Sequence, residues 1–159
     1  MSAFVIRPET PLQDDVRGMV ERLNATMKPL SPPEFQFQMT VEQMADDDTT
    51  CLVVRDREGQ AVGMGSLREE PGYGEIKRMW TELEVRSTGL GKRILASLED
   101  VAREKNLEML RLETGSTPGF EAAWAVYEQA DFKECGAFGG YPDSGYNRFY
   151  EKKLPPCPN

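Results

Sequence analysis

The chain has 159 residues, of which 39% are hydrophobic and 29% are charged, a composition typical of one soluble globular domain with its own core. Its formal charge of −8 disfavours a nucleic-acid-binding protein, because phosphate contacts require a basic surface. No apolar run approaches the length of a membrane span, and the N-terminus lacks the pattern of a signal peptide. We therefore expect a cytoplasmic protein without a nucleic-acid or membrane partner.

Histidine is absent, and the three cysteines, Cys51, Cys135 and Cys157, include no CxxC pair. This composition disfavours a structural zinc site and a Ser-His or Cys-His nucleophile, so no metal is expected. An odd number of cysteines in a cytoplasmic chain favours free thiols. Acid–base chemistry would then depend on Glu, Asp, Tyr, Lys, Cys or water.

The first half of the chain predicts a strand, two helices and an antiparallel hairpin. Apolar residues recur at helical spacing over 14–27, whereas three prolines between positions 28 and 33 prevent that helix from continuing. Thr40 and Gln43 form the pattern of a capping box for a short helix. Gly63 and Gly65 lie inside a predicted strand, where they indicate a bulge or a close backbone approach. The predicted bounds are strand 3–7, helix 14–27, helix 40–45 and strands 50–55 and 61–68.

The second half predicts a strand–helix–strand unit followed by a helix and two strands. Leu90, Ile94, Leu98 and Val101 recur at helical spacing after a strand that begins at Glu75, so one face of this long helix is apolar. Two strands joined through such a helix form a right-handed crossover and pair in parallel. The later bounds are strand 108–114, helix 120–130 and strands 133–138 and 146–153, the last two antiparallel.

The segment from Arg86 to Gly91 lies at the N-terminal end of the long helix, where it suits an anion. A helix start carries unpaired N–H groups and the positive end of the helix dipole. Gly89 and Gly91 have no Cβ atom and let a phosphate approach the backbone, while Lys92 and Arg93 add positive charge. The residues therefore predict a diphosphate-binding loop.

Two familiar nucleotide-binding loops do not fit this segment. A Walker A loop requires glycine where Arg86 stands and serine or threonine where Arg93 stands, and the dinucleotide fingerprint requires glycine at Ile94. The remaining pattern, Arg86-x-x-Gly89-x-Gly91, resembles the pyrophosphate loop of the GCN5-related N-acetyltransferase (GNAT) superfamily, whose signature is Gln/Arg-x-x-Gly-x-Gly/Ala. The alternative is a pair of glycines in an ordinary turn before a helix.

The resemblance extends over residues 3–154. Segment 123–132 is similar to the Ala-x-x-Leu-Tyr-x-x-x-Gly-Phe helix end of the superfamily. Asp131 replaces the usual glycine, and Phe120 stands where many members have an asparagine that contacts the cofactor. The element order β-α-α-β-β-β-α-β-α-β-β also matches. The implied fold is α/β (α+β), with a mixed central sheet of about seven strands and about four helices. It would form one domain, 3–154, before a disordered tail at 155–159.

The activity that this resemblance implies is N-acetyl transfer. Members move the acetyl group of acetyl-CoA, the co-substrate, to a primary amine by direct attack in a ternary complex. The identity of the amine acceptor, a small molecule or a peptide, stays open at this point. A homodimer is common in the superfamily. Two alternatives are a non-catalytic acyl-CoA-binding or sensory module on the same fold and a small α/β protein with an unrelated phosphate ligand.

The resemblance also implies which residues bind the cofactor. Backbone groups of Met79 and Thr81 would contact the pantetheine arm and the acetyl carbonyl, on a strand that splays from its neighbour. Trp80 falls in the same segment, but its side chain is expected on the opposite face, in the core. The pyrophosphate would be held by Arg86, Ser87, Thr88, Gly89, Leu90 and Gly91, with Lys92 as an added charge.

Glu75 is expected to act as a base. It aligns with a carboxylate that accepts the amine proton in some relatives, directly or through water. Strand alternation predicts that Glu75 shares a face with Lys77, Met79 and Thr81. The alternative for Glu75 is a salt bridge to a neighbouring cation, either Lys77 or Arg78.

Tyr127 is expected to protonate the CoA sulfur as it leaves, the alternative being a core tyrosine whose hydroxyl bonds a backbone carbonyl. Glu113, at the end of the next strand, is a second candidate base. Phe35 and Phe37 are expected near the acceptor, because the first two helices and their connection border that pocket in the superfamily; the alternative is that they only anchor the proline-rich loop. Three residues of the last loop could also shape the acceptor site or lie in a plain surface loop: Tyr141, Asp143 and Tyr146.

Overall fold

The computed structural model describes residues 3–155. Over this range the chain forms seven strands and four α-helices in the predicted order, so the predicted α/β class is confirmed. The predicted tail at 155–159 lies outside the described residues, apart from Pro155. The elements are β1 Val5–Pro8, α1 Asp14–Met27, α2 Val41–Met44, β2 Thr49–Arg55, β3 Ala61–Glu70, β4 Tyr73–Thr81, α3 Leu90–Glu104, β5 Met109–Gly115, α4 Glu121–Gln129, β6 Lys133–Cys135 and β7 Asn147–Lys153.

The seven strands form one sheet in the order β1-β2-β3-β4-β5-β7-β6. β4 and β5 are joined by α3 and pair in parallel, as predicted for a strand–helix–strand unit. The other pairings between the described strands are antiparallel, including the predicted β2–β3 hairpin and the β6–β7 pair. β6 is shorter than predicted and ends at Cys135, where a glycine follows it.

Helices cover both faces of the sheet and form two hydrophobic clusters. α3 buries Leu90, Ile94 and Leu98 against one face, each at most 2% exposed, which confirms the predicted apolar stripe. α1 packs on the other face around Met19. The short helix α2 begins with the predicted capping box at Thr40. No helix within residues 3–155 is long and apolar enough to cross a lipid bilayer.

β4 and β5 separate after a short parallel ladder. The paired residues are Gly74–Ile76 of β4 and Leu110–Leu112 of β5, although β4 continues to Thr81 and β5 to Gly115. Beyond this ladder, the edge of β4 that faces β5 has no partner strand among residues 3–155. Its backbone donors and acceptors are therefore available to another group.

A β-bulge interrupts β4 at Arg78. The pairing with β3 shifts by one residue between Met64 and Ser66, and Arg78 has a φ angle of 57°. Gly65 of β3 lies opposite the extra residue, and a Cβ atom there would be only 2.7 Å from Cγ2 of Ile94. The bulge and close approach predicted at this glycine are both confirmed.

The bulge changes which residues of β4 share a face. Ile76 and Met79 both pack against the α3 cluster, although residues three apart on a regular strand point to opposite faces. The prediction that Glu75 and Lys77 share a face with Met79 and Thr81 is therefore wrong. The extra residue shifts the alternation by one, a change that a strand pattern read from the sequence does not contain.

Candidate active site

The loop before α3 presents backbone N–H groups that no helical bond uses. Ser87 and Gly89 have positive φ angles of 66° and 82°, and α3 begins at Leu90. The helical hydrogen bonds begin with the N–H of Arg93, which donates to the carbonyl of Gly89 at 3.2 Å. No described side chain caps the helix. The N–H groups before that bond lie at the positive end of the helix dipole, a geometry suited to an anion.

The loop borders a cavity of about 480 Å³, which we call the loop cavity. A Cβ atom at Gly89 would meet no protein atom within 4 Å, so the approach to the backbone is open there. Of the predicted cofactor-binding residues, Thr88 alone does not line this cavity; its hydroxyl instead donates to the carbonyl of Val85 at 2.6 Å. The others line it: Met79, Trp80, Thr81, Arg86, Ser87, Gly89, Leu90, Gly91 and Lys92.

Arg86 and Trp80 form one wall of the loop cavity. The guanidinium of Arg86 lies 4.6 Å from the centroid of the Trp80 ring and donates through Nε to the carbonyl of Thr81 at 3.0 Å. Trp80 is buried in the core, as predicted, and its Nε1 donates to Glu82 at 2.6 Å. Because of the bulge, Trp80 packs on the α1 side of the sheet and not opposite Glu75, as the alternation had predicted.

Tyr127 lies where the loop cavity meets a second cavity of about 240 Å³, and it lines both. Burial raises the pKa of Tyr127 to about 12, with smaller contributions from the charges of Glu113 and Tyr150, so its hydroxyl is protonated at neutral pH. That hydroxyl has no hydrogen-bond partner within residues 3–155, so it does not bond a backbone carbonyl as a core tyrosine would. On the same helix Trp124 makes such a bond, because its Nε1 donates to the carbonyl of Gly115 at 2.8 Å. The arrangement leaves the Tyr127 proton available to a ligand.

The second cavity contains two carboxylates, and we call it the carboxylate cavity. Glu75 lines it and is 5% exposed. The hydroxyl of Tyr141 donates to Oε2 of Glu75, and the ammonium of Lys77 contacts the same oxygen at 3.4 Å. Lys77 also donates to the Tyr141 hydroxyl at 2.6 Å. The salt bridge considered for Glu75 is thus present with Lys77.

Glu113 is the other carboxylate of this cavity. Burial is the largest influence on the pKa of Glu113 and raises it above the usual range. The Asn147 side chain donates a hydrogen bond to Glu113, and the charge of Lys77 acts in the same direction, so both lower its pKa, while the charge of Glu75 raises it. A carboxylate with a raised pKa in a cavity is suited to accept a proton near neutral pH.

Aromatic side chains close the outer part of the carboxylate cavity. Phe37 and Tyr141 both line it and meet edge to face at 5.2 Å between ring centroids. Phe35 is not among the lining residues and stacks on Tyr146 at 5.1 Å. The connection after α1 and the last loop therefore pack together over this cavity.

Arg78 is the cavity residue that sequence reasoning missed. It had been considered only as a salt-bridge partner for Glu75, whereas the structure directs it toward α1, where its Nη2 donates to Oδ1 of Asn24. The side chain lines the carboxylate cavity and is 8% exposed. No local signal could have identified it, because its direction follows from the bulge. Residues of α1 and the turn after it also line the cavity: Leu23, Thr26, Met27 and Leu30.

No group of three or more Cys, Asp or Glu side chains within residues 3–155 is arranged to hold a metal ion. The arrangement is thus an anion-binding helix start connected, through a protonated tyrosine, to a cavity with two carboxylates. Such a combination can hold a phosphorylated substrate and move protons beside it.

The comparisons with known proteins point to one family. The sequence profile of the acetyltransferase (GNAT) family matches residues 17–132. An "IAA acetyltransferase" of Azospirillum brasilense is 36% identical over 156 residues, covering 97% of this chain and 100% of the relative. A candidate acyl-CoA N-acyltransferase structure from Klebsiella pneumoniae superposes with a TM-score of 0.80 at 29% identity, covering 95% of this chain and 97% of that one.

A more distant structure shares the fold alone. It is the PaiA N-acetyltransferase of Thermoplasma acidophilum in complex with coenzyme A, with a TM-score of 0.71 at 17% identity, covering 97% of this chain and 100% of that chain. The profile match spans most of the chain, and the Azospirillum relative matches it nearly from end to end. The chain therefore belongs to the acetyltransferase (GNAT) family.

Proposed function

We propose that this protein transfers the acetyl group of acetyl-CoA to an amine by direct attack within a ternary complex. One observation carries the proposal: Tyr127 lines both the loop cavity and the carboxylate cavity. A proton donor between an anion-binding loop and a pair of carboxylates is the arrangement that acyl transfer from a phosphorylated thioester to an amine requires.

The loop cavity would bind the CoA portion of the substrate. The free N–H groups at the start of α3 would bond the diphosphate, and the absence of a side chain at Gly89 leaves the approach to them open. Lys92 lines the same cavity and adds a charge. The unpaired edge of β4 offers backbone groups at the level of Met79, where an extended pantetheine arm could bond as an added strand.

Acetyl-CoA supplies an already activated thioester, so the protein has to orient it and manage two protons. As the amine nitrogen forms its bond to the acetyl carbon and the carbon–sulfur bond breaks, Tyr127 donates its proton to the departing sulfur. A carboxylate accepts the proton that the amine loses, directly or through water. Bond formation, bond cleavage and both proton transfers then balance without a metal or a covalent enzyme intermediate.

The two carboxylates are suited to different tasks. Oε2 of Glu75 already accepts a hydrogen bond from the Tyr141 hydroxyl and contacts the Lys77 ammonium, so this oxygen is engaged by protein groups. Burial instead raises the pKa of Glu113, so this side chain is the stronger candidate base. Glu75 would then position Tyr141 and Lys77 and remain the second candidate.

The proposal is tested by measuring thiol release from acetyl-CoA with a panel of primary amines, with acetylated product identified by mass spectrometry. We expect release that depends on the amine and that falls strongly in Tyr127→Phe. Binding of CoA without amine-dependent release, across amines of all charge types, would refute the enzyme and favour a non-catalytic acyl-CoA-binding module.

A further inference from the structure

Arg78 is a buried cation without a buried anion. Its side chain is 8% exposed and lines the carboxylate cavity. Its Nη2 donates to the neutral amide oxygen of Asn24, whereas its Nε has no hydrogen-bond acceptor within residues 3–155. No carboxylate of that range lies within ion-pair distance of the guanidinium. A charged group in this situation is rare in proteins unless something else neutralises it.

Another arginine of the same protein shows the usual solution. Arg55, whose side chain is 18% exposed, binds Glu9 at 2.7 Å and Asp15 at 2.9 Å; hydrogen bonds to these two carboxylates raise its pKa. Burial is the one influence on the pKa of Arg78, and it lowers that pKa to about 10. The guanidinium stays charged at neutral pH, so its environment in the protein lacks the counter-charge that Arg55 has.

The backbone holds this side chain toward the cavity under strain. The φ angle of 57° at Arg78 is in the left-handed region, which is unfavourable for a non-glycine residue. The β-bulge imposes that conformation, and strained backbone of this kind clusters at ligand-binding positions. On a regular strand the Arg78 side chain would point in another direction. The bulge is therefore what places a cation in the lining of the cavity.

The cavity thus offers opposite charges to one small ligand. Arg78 supplies a positive group without a counter-charge, while Glu75 and Glu113 supply negative groups. A volume of about 240 Å³ is below the range of ~300–1,000 Å³ that holds drug-sized ligands, which favours a small acceptor. Planar guanidinium groups bind carboxylates in a fork geometry that an ammonium group does not reproduce.

We propose that Arg78 binds a carboxylate of the acceptor, and that the acceptor is a small amino acid-like molecule with an amine and a carboxylate. This inference rests on the proposed acetyl transfer and specifies its substrate class. The acceptor's ammonium group would approach the side of Glu75 and Glu113, where its proton is removed. Its carboxylate would neutralise the charge of the Arg78 guanidinium.

The test compares the twenty common L-amino acids with their carboxamides as acceptors. Each amide keeps the amine and the side chain but removes the carboxylate. Its amine is also less basic, so an enzyme that does not recognise the carboxylate would favour the amide. We expect kcat/KM to be higher for the acid of at least one pair. In Arg78→Met the acid should lose about 10- to 100-fold in kcat/KM, the amide should change little, and Arg78→Lys should recover part of the loss.

Asn24→Ala provides the structural control. It removes the protein partner of Arg78 and leaves the guanidinium in place. If Arg78 served only to anchor α1, this variant and Arg78→Met would lower activity on acid and amide alike. We expect instead that Asn24→Ala keeps the preference for the acid. Thermal unfolding and CoA affinity of each variant show whether it is folded.

Two results would overturn the inference. One is a wild-type kcat/KM that for every pair is no higher for the acid than for its amide; the other is an equal loss on both in Arg78→Met. Either could occur while amines without a carboxylate are acetylated, which would leave the proposed function standing. If no amine is acetylated, calorimetry of the same amino acids with the CoA-bound protein decides: binding that needs both the carboxylate and Arg78 supports the site, and its absence refutes it.

Discussion

A matched pair of glycine substitutions tests whether the loop before α3 binds CoA through its backbone. Gly89 has a φ of 82° and Gly59, in the β2–β3 turn, has a φ of 81°. A Cβ atom at either position would meet no protein atom within 4 Å. Gly59 lines neither the loop cavity nor the carboxylate cavity. The substitutions Gly89→Ala and Gly59→Ala therefore impose the same backbone strain, one beside the predicted phosphate site and one away from it.

The stability effect should be equal in the two variants. An alanine in the left-handed region costs about 1–2 kcal/mol, and with no clash at either site no other cost is added. For a protein of this size each kcal/mol lowers Tm by about 2–4 °C, so both variants should unfold about 2–8 °C below wild type.

The CoA affinity should differ. The methyl group that alanine adds at position 89 would occupy the open space beside the loop and hinder the approach of the phosphates to the backbone N–H groups. Loss of one charge-assisted hydrogen bond is worth about 1.5–3 kcal/mol, or about 10- to 100-fold in Kd. Isothermal titration calorimetry with CoA measures this directly. Equal CoA affinity in Gly89→Ala and Gly59→Ala would refute the proposed role of the loop backbone.

Four further substitutions test the proton transfers and the bulge. Tyr127→Phe should lower kcat about 100-fold or more while the Kd for CoA stays near wild type; unchanged turnover would remove this hydroxyl from the reaction. Because burial raises the pKa of Glu113, its basic form is lost as the pH falls through that raised value, so Glu113→Gln should abolish the acidic limb of the kcat/KM profile. If Glu75→Gln abolishes that limb instead, the base is Glu75. Gly65→Ala would place a Cβ atom 2.7 Å from Ile94 and should lower the free energy of unfolding by about 1–3 kcal/mol in urea denaturation; an unchanged midpoint would contradict the close approach.

The sequence by itself determined the elements and the loop. Leu90, Ile94 and Leu98 are buried together because residues three and four apart share a face of any helix. The capping box at Thr40 forms because its two hydrogen bonds connect residues three apart. The open space beside the backbone at Gly89 was likewise signalled by a residue type without a Cβ atom. These features depend on neighbours along the chain, and neighbours are what a sequence displays.

The tertiary structure alone decided how the cavity is charged. The bulge in β4 arises from a register shift against β3, and it separates the faces of Glu75 and Met79 and directs Arg78 toward α1. Tyr141 reaches Glu75 across 66 positions of sequence. Burial raises the pKa of Glu113 and encloses Arg78, whose Nε has no partner among residues 3–155. Both effects arise only when distant elements pack together. Local patterns do not encode such features, because one extra residue in a strand or one long-range contact leaves no periodic signal.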